Sequence, residues 1–166
     1  SKNKIAESFP TKPISFYGNT KLQAEKYIIK KFEKNKISYC IGRIFSTTNK
    51  DQKKGYLIPD LKNRIKKSKK KIYLKNLNHF RDFISMINIS KIIFSLLDKR
   101  FKGIINIASG KSLHLRDIAK IILKKYNKKN YEFIDNKIET SLIGNISKLK
   151  KITKLNINDP VKRLIF

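Results

Sequence analysis

Short apolar runs rich in isoleucine alternate along this chain with longer segments whose apolar residues recur at helical spacing. The segment 20–33 has the periodicity of an amphipathic helix, and the run 38–45 that follows it is short, apolar and β-prone, as expected of a buried parallel strand. Two parallel strands can be joined only by a connection long enough to hold a helix. The alternation therefore predicts a layered α/β fold, and 166 residues are enough for one core.

The rest of the chain continues this alternation without an internal repeat or a clear linker. Asn88 is predicted to cap a helix, and Asp159 with Pro160 has the form of a helix start, with the acid at the cap and the proline in the first helical position. The other expected elements are helices at 57–68, 115–126 and 147–152 and strands at 72–74, 82–87, 104–108 and 131–134.

The formal net charge of +28 at first suggests a nucleic-acid binder, because clustered cations gain affinity by releasing phosphate counterions. Only 6 of the 40 basic residues are arginine, however, and arginine is the residue whose planar fork reads phosphate and guanine. The charge is also spread along the chain, and its one dense run, at 66–71, is typical of a solvated surface. We therefore expect no specific nucleic-acid partner. A polyanion-binding module without catalysis, for nucleic acid or a membrane surface, is the alternative function.

Cys40 is the only cysteine and lies in an apolar run, so it is expected to be a buried thiol in a reducing compartment. No apolar stretch approaches the roughly 18 residues needed to cross a bilayer, and the N-terminal residues have no hydrophobic signal core. His79 and His114 lack metal-site spacing, so no metal is predicted. These features predict a cytoplasmic protein without a membrane partner.

Tyr17 and Lys21 stand four residues apart, so on a helix the phenol and the ammonium project from the same face. Such a spacing also arises by chance in a lysine-rich chain, and Tyr27 with Lys31 makes a second match. The surroundings separate the two pairs. The first follows an acid and two prolines and precedes Glu25 by four residues, whereas Tyr27 has no such context and is expected to pack on its helix.

This context resembles the extended short-chain dehydrogenase/reductase family, the NAD(P)-dependent epimerases and dehydratases. Its members typically show an acid, two prolines, Tyr-Gly-x-Ser/Thr-Lys and a glutamate in this order. Four further segments are similar to family elements and follow the family's order, so the resemblance spans nearly the whole chain. They are Ile41-Gly42-Arg43-Ile44-Phe45, Arg81-Asp82-Phe83-Ile84, Ile105-Asn106-Ile107-Ala108-Ser109-Gly110 and Ile146-Ser147-Lys148-Leu149.

The resemblance implies NAD or NADP as cofactor and a nucleotide-diphosphate sugar as substrate. Tyr17 would transfer the proton that accompanies hydride transfer, Lys21 would tune Tyr17, and both would belong to the cofactor site. Arg81 would contact the substrate diphosphate, unless it is an ordinary surface arginine paired with Asp82. Ser46 falls where many relatives place a substrate-contacting asparagine, and a turn residue at a strand end is an equal alternative. Epimerase, dehydratase and reductase all remain open.

The glycine-rich turn that holds the dinucleotide in this family has no counterpart among the six glycines, at 18, 42, 55, 103, 110 and 144. The resemblance therefore implies a single incomplete domain: the C-terminal part of a Rossmann-like, doubly wound parallel sheet plus the small substrate-binding α/β region. Residues 1–50 would hold the catalytic helix and the following strand, and 51–166 mainly the substrate-binding part, with a returning strand near 104–108. We expect this chain alone to be inactive. We expect a separate chain to supply the N-terminal half, and a second copy of this chain to be a further partner in a homodimer. An inactive remnant is the other outcome kept open.

Overall fold

The computed structural model of the chain describes residues 3–49, 51–135 and 138–166. Helices and strands alternate along these residues, and none of the described helices is long and apolar enough to cross a membrane. In chain order the elements are α1 (Phe16–Lys34), β1 (Cys40–Ile44), β2 (Ser46–Thr48), α2 (Leu57–Lys67), β3 (Ile72–Lys75), β4 (His79–Arg81), β5 (Phe83–Ser85), α3 (Met86–Asp98), β6 (Gly103–Ile107), β7 (Leu113–His114), α4 (Leu115–Lys125), β8 (Tyr131–Ile134), β9 (Thr140–Leu142), α5 (Ser147–Thr153) and α6 (Val161–Ile165).

Parallel pairing dominates among the strands. β1 pairs with β6 in parallel, from Cys40 opposite Gly103 to Ile44 opposite Ile107. β2 pairs with β5, and β3 with β8, also in parallel. β4 is the centre of a three-stranded sheet, parallel to β9 and antiparallel to β7. The α/β class with parallel strands is thereby confirmed, and the strand predicted near 104–108 is β6.

Two clusters of buried apolar side chains form the core, and β5 lies between them. Phe83 belongs to the first cluster, with side chains from α2, β3, α4 and α6. The next residue, Ile84, belongs to the second cluster, with side chains from α3, β6 and α5. Successive side chains of a strand point to opposite faces, so this one short strand contributes to both clusters. The position of β5, and of β4 directly before it, is therefore fixed from two sides.

Two helices begin earlier than predicted because a serine caps each of them. The Ser15 hydroxyl accepts a hydrogen bond from the Gly18 backbone N–H at 3.0 Å, so α1 begins before residue 20. The prediction of Asn88 as a cap is wrong: the Ser85 hydroxyl accepts a hydrogen bond from the Asn88 backbone N–H at 3.2 Å, and Asn88 lies inside α3. The strand predicted at 82–87 is shorter for the same reason, since α3 begins directly after β5.

The start of α6 also differs from the prediction. Pro160 is the N-cap and Val161 the first helical residue, one position later than expected. Asp159 does not cap this helix. Its carboxylate is buried and accepts a hydrogen bond from the Ser85 backbone N–H at 2.9 Å. The acid therefore joins the C-terminal segment to the start of α3.

The face of β1 that carries Cys40, Gly42 and Ile44 is open, and the prediction of a buried Cys40 thiol is wrong. These residues border an apolar groove, together with Ile93 and Leu97 of α3. The neighbouring helix α1 is 19 residues long and has no buried residue. Apolar character predicted burial here, but burial also needs a covering element, and no described element covers this face of β1. We call this surface the β1 groove.

Asp135, directly after β8, holds the loop between β3 and β4. Its carboxylate accepts hydrogen bonds from the backbone N–H groups of Leu77 and Asn78 and from the Arg116 guanidinium, whose Nε lies 2.6 Å away. Burial by itself raises the pKa of the Asp135 carboxyl, but the hydrogen bonds from Arg116 and the backbone outweigh it and hold the pKa below its ordinary value. A carboxylate with a lowered pKa stabilises the fold above its ordinary pKa, and the stabilisation is lost as the pH falls through the folded value.

We predict that Asp135→Asn lowers the free energy of unfolding at neutral pH by about 2 kcal/mol. The difference from the wild type should begin to shrink as the pH falls below about 4, because protonation of Asp135 in the unfolded chain then favours unfolding, and it should vanish once the pH is below the lowered pKa of the folded state. Urea unfolding at a series of pH values measures both effects. Asp117→Asn is the control, because the Asp117 side chain is 64 % exposed and lies 3.5 Å from Lys120. Equal pH dependence in the two variants would contradict this role of Asp135.

Candidate functional site

Tyr17 and Lys21 lie on the same face of α1, as their spacing predicts. The Lys21 ammonium nitrogen is 5.5 Å from the centroid of the Tyr17 ring. The Tyr17 side chain is open to other molecules, with the residue 70 % exposed. The Thr20 hydroxyl donates a hydrogen bond to the Tyr17 carbonyl at 2.8 Å, within the same turn. An accessible phenol beside an ammonium can give a proton to, or take one from, the oxygen of a bound compound.

The segment before α1 packs closely against the turn that carries Tyr17. A methyl group added at Gly18 would lie 3.2 Å from the Pro13 Cβ and 3.2 Å from the Ser15 Oγ, so a side chain there would press on both residues. The Ser15 hydroxyl occupies this space because it caps the helix. The close approach of Pro13 and Ser15 therefore explains why a residue without a side chain follows Tyr17.

An ion pair between Arg43 and Glu25 holds α1 against β1. The Arg43 Nη2 and Nε donate to the Glu25 carboxylate at 2.5 and 3.1 Å, and Nη1 donates to the Glu7 carbonyl at 2.8 Å. The two side chains are only 23 % and 15 % exposed. The hydrogen bond to Glu25 raises the pKa of the Arg43 guanidinium above its ordinary value. Glu25 lies one turn beyond Lys21 on α1. The Glu25–Arg43 ion pair therefore fixes the rotation of α1 relative to β1, and with it the direction in which Tyr17 and Lys21 project.

The network continues from Glu7 to the centre of β6. The Glu7 Oε1 accepts a hydrogen bond from the Asn106 backbone N–H at 2.9 Å. The buried Asn106 amide donates to the carbonyls of Ile5 and Asn145, at 2.8 and 3.3 Å. Ile5 forms a parallel bridge with Gly144. The chain that leads into α1 is therefore attached to β6 and to the segment before α5.

We predict that Glu25→Ala raises the hydrogen-exchange rate of α1 amides about 10- to 100-fold, because a partly buried charge pair contributes roughly 1.5–3 kcal/mol and α1 has few other contacts. Exchange measured by mass spectrometry on peptides from α1 checks this. Glu33→Ala is the control on the same helix, since the Glu33 carboxylate accepts only an exposed hydrogen bond from the Tyr39 hydroxyl among the described contacts. Similar exchange in the two variants would show that Glu25 does not hold α1.

Ser46 and Arg81, distant in sequence, line one cleft of about 380 Å³, here called the Ser46–Arg81 cleft. They meet because β2 and β5 pair in parallel, with Ser46 opposite Phe83, two residues after Arg81. Thr48, Gln52 and Tyr56 add polar groups to the wall, and the start of α2 adds apolar ones. The cleft therefore offers one cation, hydroxyl and amide groups, and an apolar side.

Arg81 is partly buried and has no carboxylate partner among the described residues. Its Nη1 donates to the Phe80 and Thr140 carbonyls at 2.8 and 3.2 Å, and its Nη2 donates to the Thr140 hydroxyl at 3.0 Å. Burial lowers the pKa of the Arg81 guanidinium below its ordinary value. A partly desolvated cation that no described carboxylate neutralises favours the binding of an anion in the cleft that it lines.

Asp82 is not the ion-pair partner of Arg81, and that alternative is wrong. The Asp82 carboxylate is fully buried and accepts four hydrogen bonds: from the Ser109 N–H and hydroxyl at 2.8 and 2.6 Å, from the Gly110 N–H at 2.8 Å and from the Gly144 N–H at 3.1 Å. The acid therefore holds together the turn after β6, the segment after β9 and the junction of β4 and β5.

The sequence-predicted residues form two pairs, Tyr17 with Lys21 and Ser46 with Arg81. No hydrogen bond or ion pair joins the two pairs in the part of the chain that the structure describes. The accessible phenol and ammonium fit residues that contact a nicotinamide ribose. None of the described helices begins at a glycine-rich turn that could receive a dinucleotide pyrophosphate.

The sequence alone predicted neither the Glu25–Arg43 ion pair nor the contacts of Thr140 with Arg81. An arginine inside an otherwise apolar strand was a usable signal, because a charge in such a place needs a partner. The two histidines have structural contacts. The His114 ring stacks on Phe80 with 4.4 Å between centroids, and the His79 Nδ1 accepts a hydrogen bond from the Thr140 N–H at 3.2 Å.

Comparison with known proteins adds the family. A family model described as GDP-mannose 4,6 dehydratase matches residues 1–158. A curated relative, the GDP-6-deoxy-D-talose 4-dehydrogenase of Aggregatibacter actinomycetemcomitans, is 27% identical over 154 residues, which cover 89% of this chain and 52% of that protein. The chain thus spans about half the length of this relative.

Solved structures share the fold. The Pseudomonas aeruginosa protein RMD, in complex with NADPH, matches with a TM-score of 0.85 and 16% identity over 96% of this chain and 56% of its own. The dTDP-glucose 4,6-dehydratase of Bacillus anthracis, in complex with NAD, matches with a TM-score of 0.85 and 18% identity over 99% of this chain and 54% of its own. A Bacillus cereus UDP-glucuronic acid 4-epimerase, in complex with UDP-glucuronic acid and NAD, has a TM-score of 0.85 at 20% identity over 99% of this chain and 55% of its own.

Proposed function

The chain belongs to the GDP-mannose 4,6-dehydratase family, and we propose that it carries the proton-transferring residues and the substrate cleft of an NAD- or NADP-dependent enzyme that acts on a nucleotide-diphosphate sugar. The reaction is an epimerisation, a dehydration or a reduction. The solved structures with the same fold hold NAD, NADPH or a UDP-sugar, which supports this class of ligand.

The observation that carries the proposal is the Ser46–Arg81 cleft. A partly buried guanidinium that pairs with no carboxylate of residues 3–49, 51–135 and 138–166 suits the diphosphate of a nucleotide sugar, because phosphate oxygens accept charge-assisted hydrogen bonds from arginine. The Ser46 hydroxyl on the same wall suits a hydroxyl or phosphate oxygen of the substrate. The apolar side of the cleft, at the start of α2, suits the flat face of a base.

In the proposed mechanism, Tyr17 exchanges a proton with a hydroxyl or carbonyl oxygen of the sugar. The Lys21 ammonium, 5.5 Å from the centroid of the Tyr17 ring, would hold the nicotinamide ribose beside the phenol. NAD or NADP, when bound, supplies the hydride acceptor or donor. Arg81 and Ser46 hold the diphosphate end so that the reacting carbon stays near Tyr17.

We also propose that a cofactor-binding half covers the β1 groove and α1, either on a separate chain or elsewhere in the same protein. β1 pairs only with β6 in the described residues, so its second edge is open to another strand, and the groove beside it is apolar. Contact between two copies through the exposed face of α1 is a further proposal. Without the cofactor-binding half, we expect the chain to bind a nucleoside diphosphate but not to convert a nucleotide-diphosphate sugar.

Calorimetric titration of the chain with GDP, UDP and dTDP tests the proposal. We expect one saturable site, weakened at least about tenfold by Arg81→Lys, because lysine keeps the charge but loses the planar fork. Arg100→Lys is the control, since the Arg100 side chain has no hydrogen bond or ion pair with the described residues and lies outside the Ser46–Arg81 cleft. Binding that Arg81→Lys leaves unchanged and that salt abolishes equally for every polyanion would favour the polyanion-binding alternative instead.

A further inference from the structure

Thr140, the first residue of β9, contacts two side chains of the neighbouring strand β4. β4 and β9 pair in parallel with His79 opposite Thr140. The Arg81 Nη1 donates to the Thr140 carbonyl at 3.2 Å, and the Arg81 Nη2 donates to the Thr140 hydroxyl at 3.0 Å. One residue therefore accepts hydrogen bonds from both terminal nitrogens of the guanidinium.

The contacts of Arg81 with the described residues occupy one end of its guanidinium and leave another edge open. The group has five N–H bonds in one plane. Both N–H bonds of Nη1 are used, one by the Phe80 carbonyl and one by the Thr140 carbonyl, and one N–H of Nη2 is used by the Thr140 hydroxyl. The N–H of Nε and the second N–H of Nη2 remain without a partner among the described residues. These two bonds point in the same direction, which is the arrangement that binds two oxygens of one phosphate.

The orientation of the Thr140 hydroxyl follows from its second partner. The Thr140 backbone N–H can only donate, so the His79 Nδ1, 3.2 Å away, must be an unprotonated acceptor. The Thr140 hydroxyl lies 3.1 Å from the same nitrogen, whose one lone pair its proton would share with the backbone N–H. The lone pairs of its oxygen then face Arg81. The guanidinium can only donate, so the Thr140 hydroxyl oxygen is the acceptor in its contact with Arg81.

We propose that Thr140 is a positioning residue for substrate binding, which holds the outer end of the Arg81 guanidinium so that its free Nε–Nη2 edge receives two oxygens of the substrate diphosphate. The inference rests on the proposed function, and it adds a residue from a different strand to the Ser46–Arg81 cleft. Thr140 itself does not touch the substrate.

Titration of the full chain with GDP, UDP and dTDP tests the inference in three variants. Thr140→Val keeps the β-branched shape and the carbonyl but removes the hydroxyl, and it should weaken binding about tenfold, since one hydrogen bond to a charged group is lost. Thr140→Ser keeps the hydroxyl and should bind within about twofold of the wild type. Ser141→Ala is the control on the same strand: the Ser141 hydroxyl is buried and has no partner in the described structure, so its removal should leave binding unchanged.

The outcomes separate the inference from the function beneath it. If the wild type binds a nucleoside diphosphate but Thr140→Val binds equally well, the inference is wrong and the proposed function stands. Equal weakening in the valine and serine variants also overturns it, because the hydroxyl would then not be the cause. If the wild type binds none of the three nucleotides, the proposed function fails and the inference fails with it. Thermal unfolding of each variant identifies any loss that comes from misfolding, and a loss of binding by a folded Thr140→Ser variant would by itself contradict the inference.

Discussion

Replacing Tyr17 with phenylalanine is expected to lower turnover about 10²- to 10⁴-fold, the usual contribution of a positioned acid or base, in a preparation that combines this chain with its cofactor-binding half. The substitution removes only the phenolic hydroxyl. Tyr17 is 70 % exposed and has no side-chain hydrogen bond in the described structure, so the fold should not change. Nucleotide affinity should also stay constant, because the cleft residues are Ser46 and Arg81.

Tyr27→Phe is a closely matched control for this experiment. Tyr27 lies on the same helix, is 67 % exposed and is also followed by a lysine after four residues. Its hydroxyl has no proposed role, so turnover should equal that of the wild type. A rate for Tyr17→Phe as high as that of Tyr27→Phe would rule out Tyr17 as the proton-transferring group.

Asp82→Ala is expected to destabilise the fold by at least about 3 kcal/mol, since it leaves buried hydrogen-bond donors without an acceptor and each costs roughly 1–3 kcal/mol. Four donors are affected, from Ser109, Gly110 and Gly144. Because the same carboxylate fixes the junction between β4 and β5, nucleotide affinity should fall along with stability. Urea unfolding followed by circular dichroism measures the first effect, and titration under native conditions measures the second.

The control for Asp82 is Asp98→Ala at the end of α3. Asp98 is exposed and has no side-chain partner in the described residues, and an acid at a helix C-terminus is slightly unfavourable, so alanine should be neutral. If both variants unfold at the same urea concentration, the hydrogen bonds to Asp82 do not hold this part of the fold together.

The elements with a strong local pattern could be predicted from the sequence. α4 was expected at 115–126 and spans Leu115–Lys125, because its apolar residues repeat on one face and five of them are buried. β4 and β9 were missed. Each strand has three residues, two of them polar. Each forms because it pairs with the other, which is distant in the sequence. A pattern within a short window does not contain that pairing.

Competition between neighbouring residues accounts for other errors. Ser85 and Asn88 are both good helix caps, and the parallel pairing of β5 with β2 ends at Ser85, which places the start of α3 there. The apolar neighbours of Cys40 predict burial, but no element of the described residues covers its face of β1, and Cys40 is exposed.

In the candidate site, too, local features could be predicted from the sequence and long-range contacts could not. The spacing of Tyr17 and Lys21 was enough to place both on one face of α1, because the two residues belong to one helix. Ser46 and Arg81 were connected only through the resemblance to a family. Thr140 could not be found at all from the sequence, since its contacts with Arg81 depend on the register between β4 and β9.

A crystal structure of this chain with a bound nucleoside diphosphate tests the central claim most directly. The account predicts the diphosphate in the Ser46–Arg81 cleft, with two oxygens of one phosphate on the Nε–Nη2 edge of Arg81. A nucleotide bound instead along the lysine run 66–71, with an empty cleft, would contradict the account and support a polyanion-binding role.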